Sequence, residues 1–191
     1  MAFNVPNALT LLRIFLVPLL VVVLLTKMPA KEYIALTVFL VAALTDALDG
    51  YWARKYKKVT TLGILLDPIA DKLLVSAALI SLVDMQEADA WAVCIIIGRE
   101  FAVSGLRSIA ATNGITISAS ALGKWKMGAQ VVGISLMILG ARLDDIGLWR
   151  NTGRGALYVM TVIALWSGID YFIRYLPPVL EKERAAEPTA P

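Results

Sequence analysis

Polar residues break an otherwise apolar chain into six long hydrophobic stretches. These stretches lie at about 9–27, 33–53, 62–83, 90–111, 122–141 and 154–176, and each holds the ~20 residues that a membrane-spanning helix needs. The expected fold is all-α: a polytopic membrane protein with six transmembrane helices. Asn4-Val5-Pro6-Asn7 has a turn-like composition and predicts a short N-terminal interfacial segment. The first stretch lacks a basic start, and no small-x-small cleavage site follows it cleanly. It therefore reads as a retained span and not as a signal peptide. No internal repeat is visible at the ~20–50-residue periods of repeat proteins. Residues 1–180 are expected to form one membrane domain, and residues 181–191 a disordered tail.

The connecting segments carry unequal charge. Arg54, Lys55, Lys57 and Lys58 follow the second span with no acid among them. Asp84, Glu87 and Asp89 follow the third with no base. Arg107, Lys124 and Lys126 gather between the fourth and fifth. The positive-inside rule then places the loops after spans two and four, and both termini, on the cytoplasmic side.

Composition narrows the chemistry. The chain is 59% hydrophobic, with a mean hydropathy of +0.73. Six spans leave little chain for a separate soluble domain, so any chemistry belongs in the membrane or at its surface. The net charge is +3, and no basic block resembles a nucleic-acid-binding arm. The absence of His removes the commonest general base and transition-metal ligand. A single cysteine, Cys94, excludes a disulfide or a Cys-rich metal site within one chain. Carboxylates remain for metal binding and proton transfer.

Four carboxylates stand where hydrocarbon makes them expensive, a position usually reserved for function. Asp46 and Asp49 end the second apolar stretch, and Asp67 and Asp71 lie near the start of the third. Residues three or four apart share a helix face, so each pair points one way. The short loop between the spans makes them expected antiparallel neighbours with converging acidic faces. Four ionised carboxylates in a low dielectric repel one another. Two divalent cations, Mg²⁺ or Mn²⁺, would neutralise them, and oxygen ligands suit such hard ions. Gly50 and Gly63 leave room for a ligand to approach the backbone. Arg54 offers a planar fork for phosphate, and Thr60 and Thr61 offer hydroxyls at a helix start. Pro68 is expected to kink the third span. Caps and loop salt bridges are the plainer reading of the acids, but they do not explain the fixed register with the two glycines and the arginine.

At these positions the sequence resembles the CDP-alcohol phosphotransferase family, whose signature is D-x2-D-G-x2-A-R-x8-G-x3-D-x3-D. Asp46, Asp49, Gly50, Ala53, Arg54, Gly63, Asp67 and Asp71 match it without a gap or substitution. The resemblance implies a six-span membrane enzyme, commonly a homodimer, that moves a phosphatidyl or related group from a CDP-linked donor to an alcohol and releases CMP. It implies that Asp46 and Asp67 bridge two metal ions, that Asp49 completes the first site, and that Asp71 serves the second and acts as base. It places Gly50, Ala53, Arg54 and Gly63 around the CDP group, with Thr60 beside them.

Further segments resemble the bacterial branch of the family whose donor is CDP-diacylglycerol and whose acceptor is glycerol 3-phosphate. They are Pro6 to Arg13, Asp67 to Leu74, Gly98-Arg99-Glu100 with Gly105-Leu106-Arg107, and Gly123-Lys124-Trp125-Lys126. Met127 departs from this pattern, where Thr is expected. The implied location is the bacterial cytoplasmic (inner) membrane, multi-pass, with the active site facing the cytoplasm.

A phosphorylated acceptor needs cations, and Arg99, Arg107, Lys124 and Lys126 are the candidates. Each has a second reading. Lys124 and Lys126 fit ordinary positive-inside flanks, and Arg107 fits snorkelling to the interface. Arg99 fits a structural pair with an acid on another helix, since Glu100 beside it is expected to face elsewhere. Arg13 suits either the pyrophosphate or simple balance of the acids. Gly128, Gly133 and Gly140 suit close helix packing, including at a dimer interface. Other functions remain to be set against this one: a cardiolipin synthase, an inositol-phosphate or serine head-group transferase, or a cation transporter. A transporter fits poorly, because its site normally lies near the midplane between repeated halves.

Overall fold

The computed structural model describes the backbone of residues 5–56, 61–115, 121–143 and 148–186, and the side chains of 8–45, 69–115, 127–143 and 148–182. Six helices account for it: α1 Val5–Leu25, α2 Lys31–Tyr56, α3 Thr61–Asp84, α4 Ala90–Thr112, α5 Ala121–Gly140 and α6 Leu148–Ala186. No strand occurs among the described residues. Each helix covers one of the six apolar stretches, so the all-helical expectation holds. The backbone is already helical from Val5, and it stays helical through Pro68 with no break in α3. The tail expected from residue 181 is helical as far as Ala186. Glu181-Lys182-Glu183-Arg184-Ala185-Ala186 consists of strong helix formers, which extend α6 beyond its apolar part.

Named contacts fix the direction of several helices. Lys31 Nζ donates to the Leu24 carbonyl and Arg13 Nε to the Ala42 carbonyl, so α1 and α2 are antiparallel. Asp89 meets Tyr158, Arg99 meets Ser167, and Arg107 meets Tyr171, so α4 and α6 run parallel. Gly140 lies against Trp149, and Gly133 against Met160, so α5 and α6 are antiparallel. α1 packs along both α2 and α3, which also touch each other.

Two helix ends show why the chain turns where it does. Gly114 sits after α4 with φ +68. Its N–H donates to the Ala111 carbonyl, and that of Ile115 donates to the Ala110 carbonyl. These bonds satisfy carbonyls left open at the helix end, in the pattern that favours glycine there. The end of α3 repeats the pattern with Gln86 (φ 62): Gln86 N–H reaches Val83, and Glu87 N–H reaches Leu82. Arg150, at the start of α6, pairs with Glu87 across this turn at 3.2 Å.

The main core includes Leu20, Leu24, Phe39, Leu82, Ile96 and Met137. It fills the half of the bundle near the α1–α2, α3–α4 and α5–α6 connections. A smaller cluster of Val103, Leu106, Ala110, Tyr171 and Val179 lies toward the other end, between α4 and α6. Outward-facing side chains are also apolar: Phe15 is 72% exposed, Val162 65%, Trp166 75% and Ile173 69%. Such a surface is a liability in water and suits lipid. Ala8–Leu25 and Leu148–Lys182 are each long and apolar enough to cross a membrane.

Small residues set the closest helix approach. A Cβ at Gly140 would stand 2.9 Å from the Trp149 carbonyl oxygen, and one at Gly133 would stand 2.6 Å from Met160 Sδ. Both glycines therefore serve packing of α5 on α6 within the chain, whereas Gly128 faces open space. The thioether can swing away, but the backbone oxygen cannot. Gly140→Ala is therefore expected to cost about 1–3 kcal/mol. Detergent-solubilised protein should melt roughly 2–10 °C lower, with a smaller drop for Gly133→Ala.

Candidate functional site

The acidic residues sit on adjoining helices. Asp46 and Asp49 lie in the last three turns of α2, and Asp67 and Asp71 in the first three turns of α3. Gly50, Ala53 and Arg54 share α2, and Gly63 lies on α3. Thr60 lies outside the described residues, as do the side chains of Asp46, Asp49, Ala53, Arg54 and Asp67. Of the four acids, Asp71 has a described side chain, and it is partly buried. Among the described residues no three His, Cys, Asp or Glu side chains come together. The donor set that the two helices carry is purely oxygen, which matches a hard divalent cation and excludes a soft one.

Arg13 stands close to this region. It is fully buried, and its Nε donates to the Ala42 carbonyl at 3.3 Å. The Thr45 hydroxyl donates to the same carbonyl at 2.7 Å. Ala42 precedes Asp46 by one helical turn, so a buried cation lies one turn from the first acid. A cation there offsets part of the repulsion among the carboxylates.

Asp71 opens onto a cavity of about 10 Å³ shared by α3, α4 and α5. Lys72, Ser76, Glu100 and Gln130 supply its other polar walls. Glu100 is the centre of a network. Its Oε1 accepts from Gln130 Nε2 at 3.1 Å and from Arg99 at 3.3 Å. Arg99 also donates to Ser167 Oγ on α6 at 2.6 Å. The expectation that Arg99 and Glu100 face apart is corrected here. A long guanidinium arm can fold back onto its neighbour, although the Cα–Cβ bonds diverge. Gly168 makes room for it, because a Cβ there would stand 3.0 Å from Arg99 Cγ.

Arg107 stands seven residues further along α4, about 10 Å from Glu100 at 1.5 Å rise per residue. Its Nε donates to Tyr171 Oη at 2.6 Å, and the guanidinium lies 5.5 Å from that ring's centre. This fixes the arm by a hydrogen bond and a cation–π contact together. Lys126 precedes Gln130 by one turn on α5, and Lys124 precedes it by six residues; their side chains lie outside the described residues. Asp71 thus lines one cavity with Glu100 and Gln130, and Arg107 stands further toward the α4 C-terminus.

Gln130, Ser167 and Tyr171 were not legible as site neighbours. Gln130 is a polar side chain in an otherwise apolar part of α5, and Ser167 and Tyr171 lie on either side of Asp170 on α6. Their partners became visible only when α5 and α6 packed against α4.

Residues 3–169 match the model of the CDP-alcohol phosphatidyltransferase family. The chain is 44% identical over 182 residues to the CDP-diacylglycerol–glycerol-3-phosphate 3-phosphatidyltransferase of Bacillus subtilis (strain 168), covering 89% of this chain and 94% of that one. It is 36% identical over 169 residues to the protein of the same name in Rickettsia bellii (strain RML369-C), covering 88% and 93%. The Haemophilus influenzae protein of that name is 35% identical over 182 residues, covering 90% and 92%. The family match takes in both halves of the acidic signature, and these relatives align along nearly their whole length, so the chain belongs to the CDP-alcohol phosphatidyltransferase family.

Proposed function

We propose that the protein transfers the phosphatidyl group of CDP-diacylglycerol to glycerol 3-phosphate, giving phosphatidylglycerophosphate and CMP. The observation that carries this reading is the unbroken acidic signature on α2 and α3, in a chain whose relatives of that name align over nine-tenths of their length. The setting proposed is the cytoplasmic face of a bacterial inner membrane, with all six helices spanning it. The apolar outer surface and the loop charges support this. A homodimer belongs to the same reading, through the family likeness.

The acceptor's terminal hydroxyl attacks the phosphorus that bears the diacylglycerol. A P–O bond forms to the acceptor, and the P–O bond to CMP breaks, its electron pair leaving with CMP. Asp71 takes the hydroxyl proton. Its position beside a polar cavity suits a base that needs a small alcohol within hydrogen-bond reach. Asp46, Asp49, Asp67 and Asp71 would hold two divalent cations, Mg²⁺ or Mn²⁺, which when bound neutralise phosphate charge at the entering and leaving oxygens. Gly50, Ala53, Arg54, Thr60 and Gly63 would receive the CDP group. Arg99, Arg107, Lys124 and Lys126 would supply positive charge for the acceptor phosphate, with Arg99 held by Glu100 and Ser167.

The test is CMP release from radiolabelled CDP-diacylglycerol by purified protein in detergent. The acceptor panel is glycerol 3-phosphate, glycerol, phosphatidylglycerol, inositol 1-phosphate and serine. Turnover is expected with glycerol 3-phosphate alone. Turnover with phosphatidylglycerol in its place would mark a cardiolipin synthase, and turnover with serine or inositol 1-phosphate another head-group transferase. In the same assay, Arg107→Ala is expected to raise the KM for glycerol 3-phosphate roughly tenfold. A charge-assisted hydrogen bond contributes about 1.5 kcal/mol at the low end, and the KM rise follows where KM tracks binding. The donor KM should move less. A change confined to the donor would remove Arg107 from the acceptor pocket.

A further inference from the structure

Arg107 and Arg99 differ in what their arms leave open. Arg99 is 12% exposed, and both its terminal nitrogens are engaged, Nη1 with Glu100 and Nη2 with Ser167. Arg107 is exposed. A guanidinium has five N–H donors. One of those on Arg107, the Nε–H, donates to Tyr171 Oη at 2.6 Å. The four on Nη1 and Nη2 have no partner among the described residues.

Tyr171 is a rigid anchor for this arm. It is 8% exposed and packs with Val103, Leu106 and Ala110 of α4 and Val179 of α6. Its ring centre lies 4.7 Å from that of Tyr175. The Arg107 guanidinium lies over the Tyr171 ring, 5.5 Å from its centre, so the ring restrains it beyond the hydrogen bond. Arg107 also stands on the side of α4 that faces the chemistry. It follows Glu100 by seven residues, close to two turns of ~3.6 residues, so the two share a helix face. Glu100 lines the cavity onto which Asp71 opens.

We infer that Tyr171 is a positioning residue for the acceptor phosphate: by holding Nε, it leaves Arg107 to grip a phosphate monoester end-on, through Nη1 and Nη2. This rests on the proposed reaction and on Arg107 as its phosphate contact. A guanidinium can fork an oxyanion along the edge shared by Nε and one terminal nitrogen, or along the edge of the two terminal nitrogens. The bond to Tyr171 takes the first edge away. The second offers two parallel donors to the phosphate. An unanchored arginine near a membrane interface extends toward water in many rotamers, and ordering it opposes binding. Tyr171 fixes the arm before the acceptor arrives.

The experiment compares the unaltered protein, Tyr171→Phe, Arg107→Ala and the variant carrying both changes. It measures kcat, the KM for glycerol 3-phosphate, the KM for CDP-diacylglycerol, and the inhibition constant of inorganic phosphate against glycerol 3-phosphate. Inorganic phosphate probes the anion contact without the alcohol. Phenylalanine keeps the ring, its packing and the cation–π contact, and removes the hydroxyl alone. In Tyr171→Phe the acceptor KM and the phosphate constant should both rise roughly three- to tenfold, the range of one net hydrogen bond. The donor KM and kcat should stay within about twofold. In the Arg107→Ala background the same change should add nothing, because the hydroxyl acts through Arg107.

An effect that multiplies with that of Arg107→Ala, or that falls equally on the donor, would make Tyr171 a structural residue of the α4–α6 contact and overturn the inference. So would a rise in acceptor KM with no matching rise in the phosphate constant. An unchanged acceptor KM in Tyr171→Phe, beside a raised one in Arg107→Ala, would overturn the inference alone. An acceptor KM unchanged in Arg107→Ala would remove Arg107 from the acceptor site, and the inference with it. Turnover with another alcohol in place of glycerol 3-phosphate would overturn the proposed reaction itself.

Discussion

Asp46→Asn and Asp67→Asn are each expected to remove transfer activity, by at least about 10²–10³-fold, and excess EDTA is expected to silence the unaltered protein. The magnitude is that of losing a preorganised group which stabilises charge developing in a transition state. The physical reason begins with charge. α2 and α3 bring four acids to adjoining helix segments, where ionised carboxylates are costly unless compensated. A divalent cation supplies that compensation, and the all-oxygen donor set selects a hard one. Asn keeps the shape of Asp but loses its charge, so it weakens the ligand while sparing the fold. The measurement is CMP release as a function of added Mg²⁺ or Mn²⁺. A variant rescued at high metal concentration would confirm a ligand role. Full turnover in excess EDTA would sink the two-metal reading.

The second large effect falls on Asp71. Asp71→Asn is expected to lower turnover by about 10²–10⁴-fold, the usual contribution of a positioned base, while CDP-diacylglycerol binding stays measurable. The donor would be held chiefly by Gly50, Arg54, Gly63 and the cation that the other acids would bind, whereas Asp71 faces the cavity shared with Glu100 and Gln130. An amide there can still donate and accept hydrogen bonds, but it cannot take a proton from the attacking alcohol. The separation is made by equilibrium binding of labelled donor beside single-turnover transfer at saturating acceptor. Lost donor binding with normal chemistry at saturation would make Asp71 a binding residue instead.

The two predictions draw on different information. Spacing puts Asp46 with Asp49 and Asp67 with Asp71 on shared helix faces, and the family resemblance implies that Asp46 and Asp67 bridge the metal ions. Asp71 shares that spacing, but its distinct role gains support from what surrounds it. Glu100 shows the same contrast more sharply. Beside Arg99 in sequence, it looked unrelated to it, since consecutive helical positions diverge by about 100°. In the folded chain the arginine bends back to it, and Gln130 reaches it from 30 residues away. The glycines divide similarly. Their small size suggested close packing, but only the packed chain assigns Gly133 and Gly140 to α5 against α6 and leaves Gly128 in the open.

The sequence by itself determined the six helices, the apolar outer surface, the acidic signature and the family. These follow from properties that are local along the chain: runs of apolar residues, three- and four-residue intervals, and the charge of short loops. Tertiary structure alone decided which polar side chains meet inside the bundle. Arg13, Glu100 and Arg107 each find a partner on another helix, Ala42 on α2, Gln130 on α5 and Tyr171 on α6. A long side chain in an apolar bundle must find its hydrogen-bond partner wherever packing brings one, because leaving it unsatisfied costs more than bending to reach it. That choice depends on which helices touch and at what height, and no interval along a single chain encodes it.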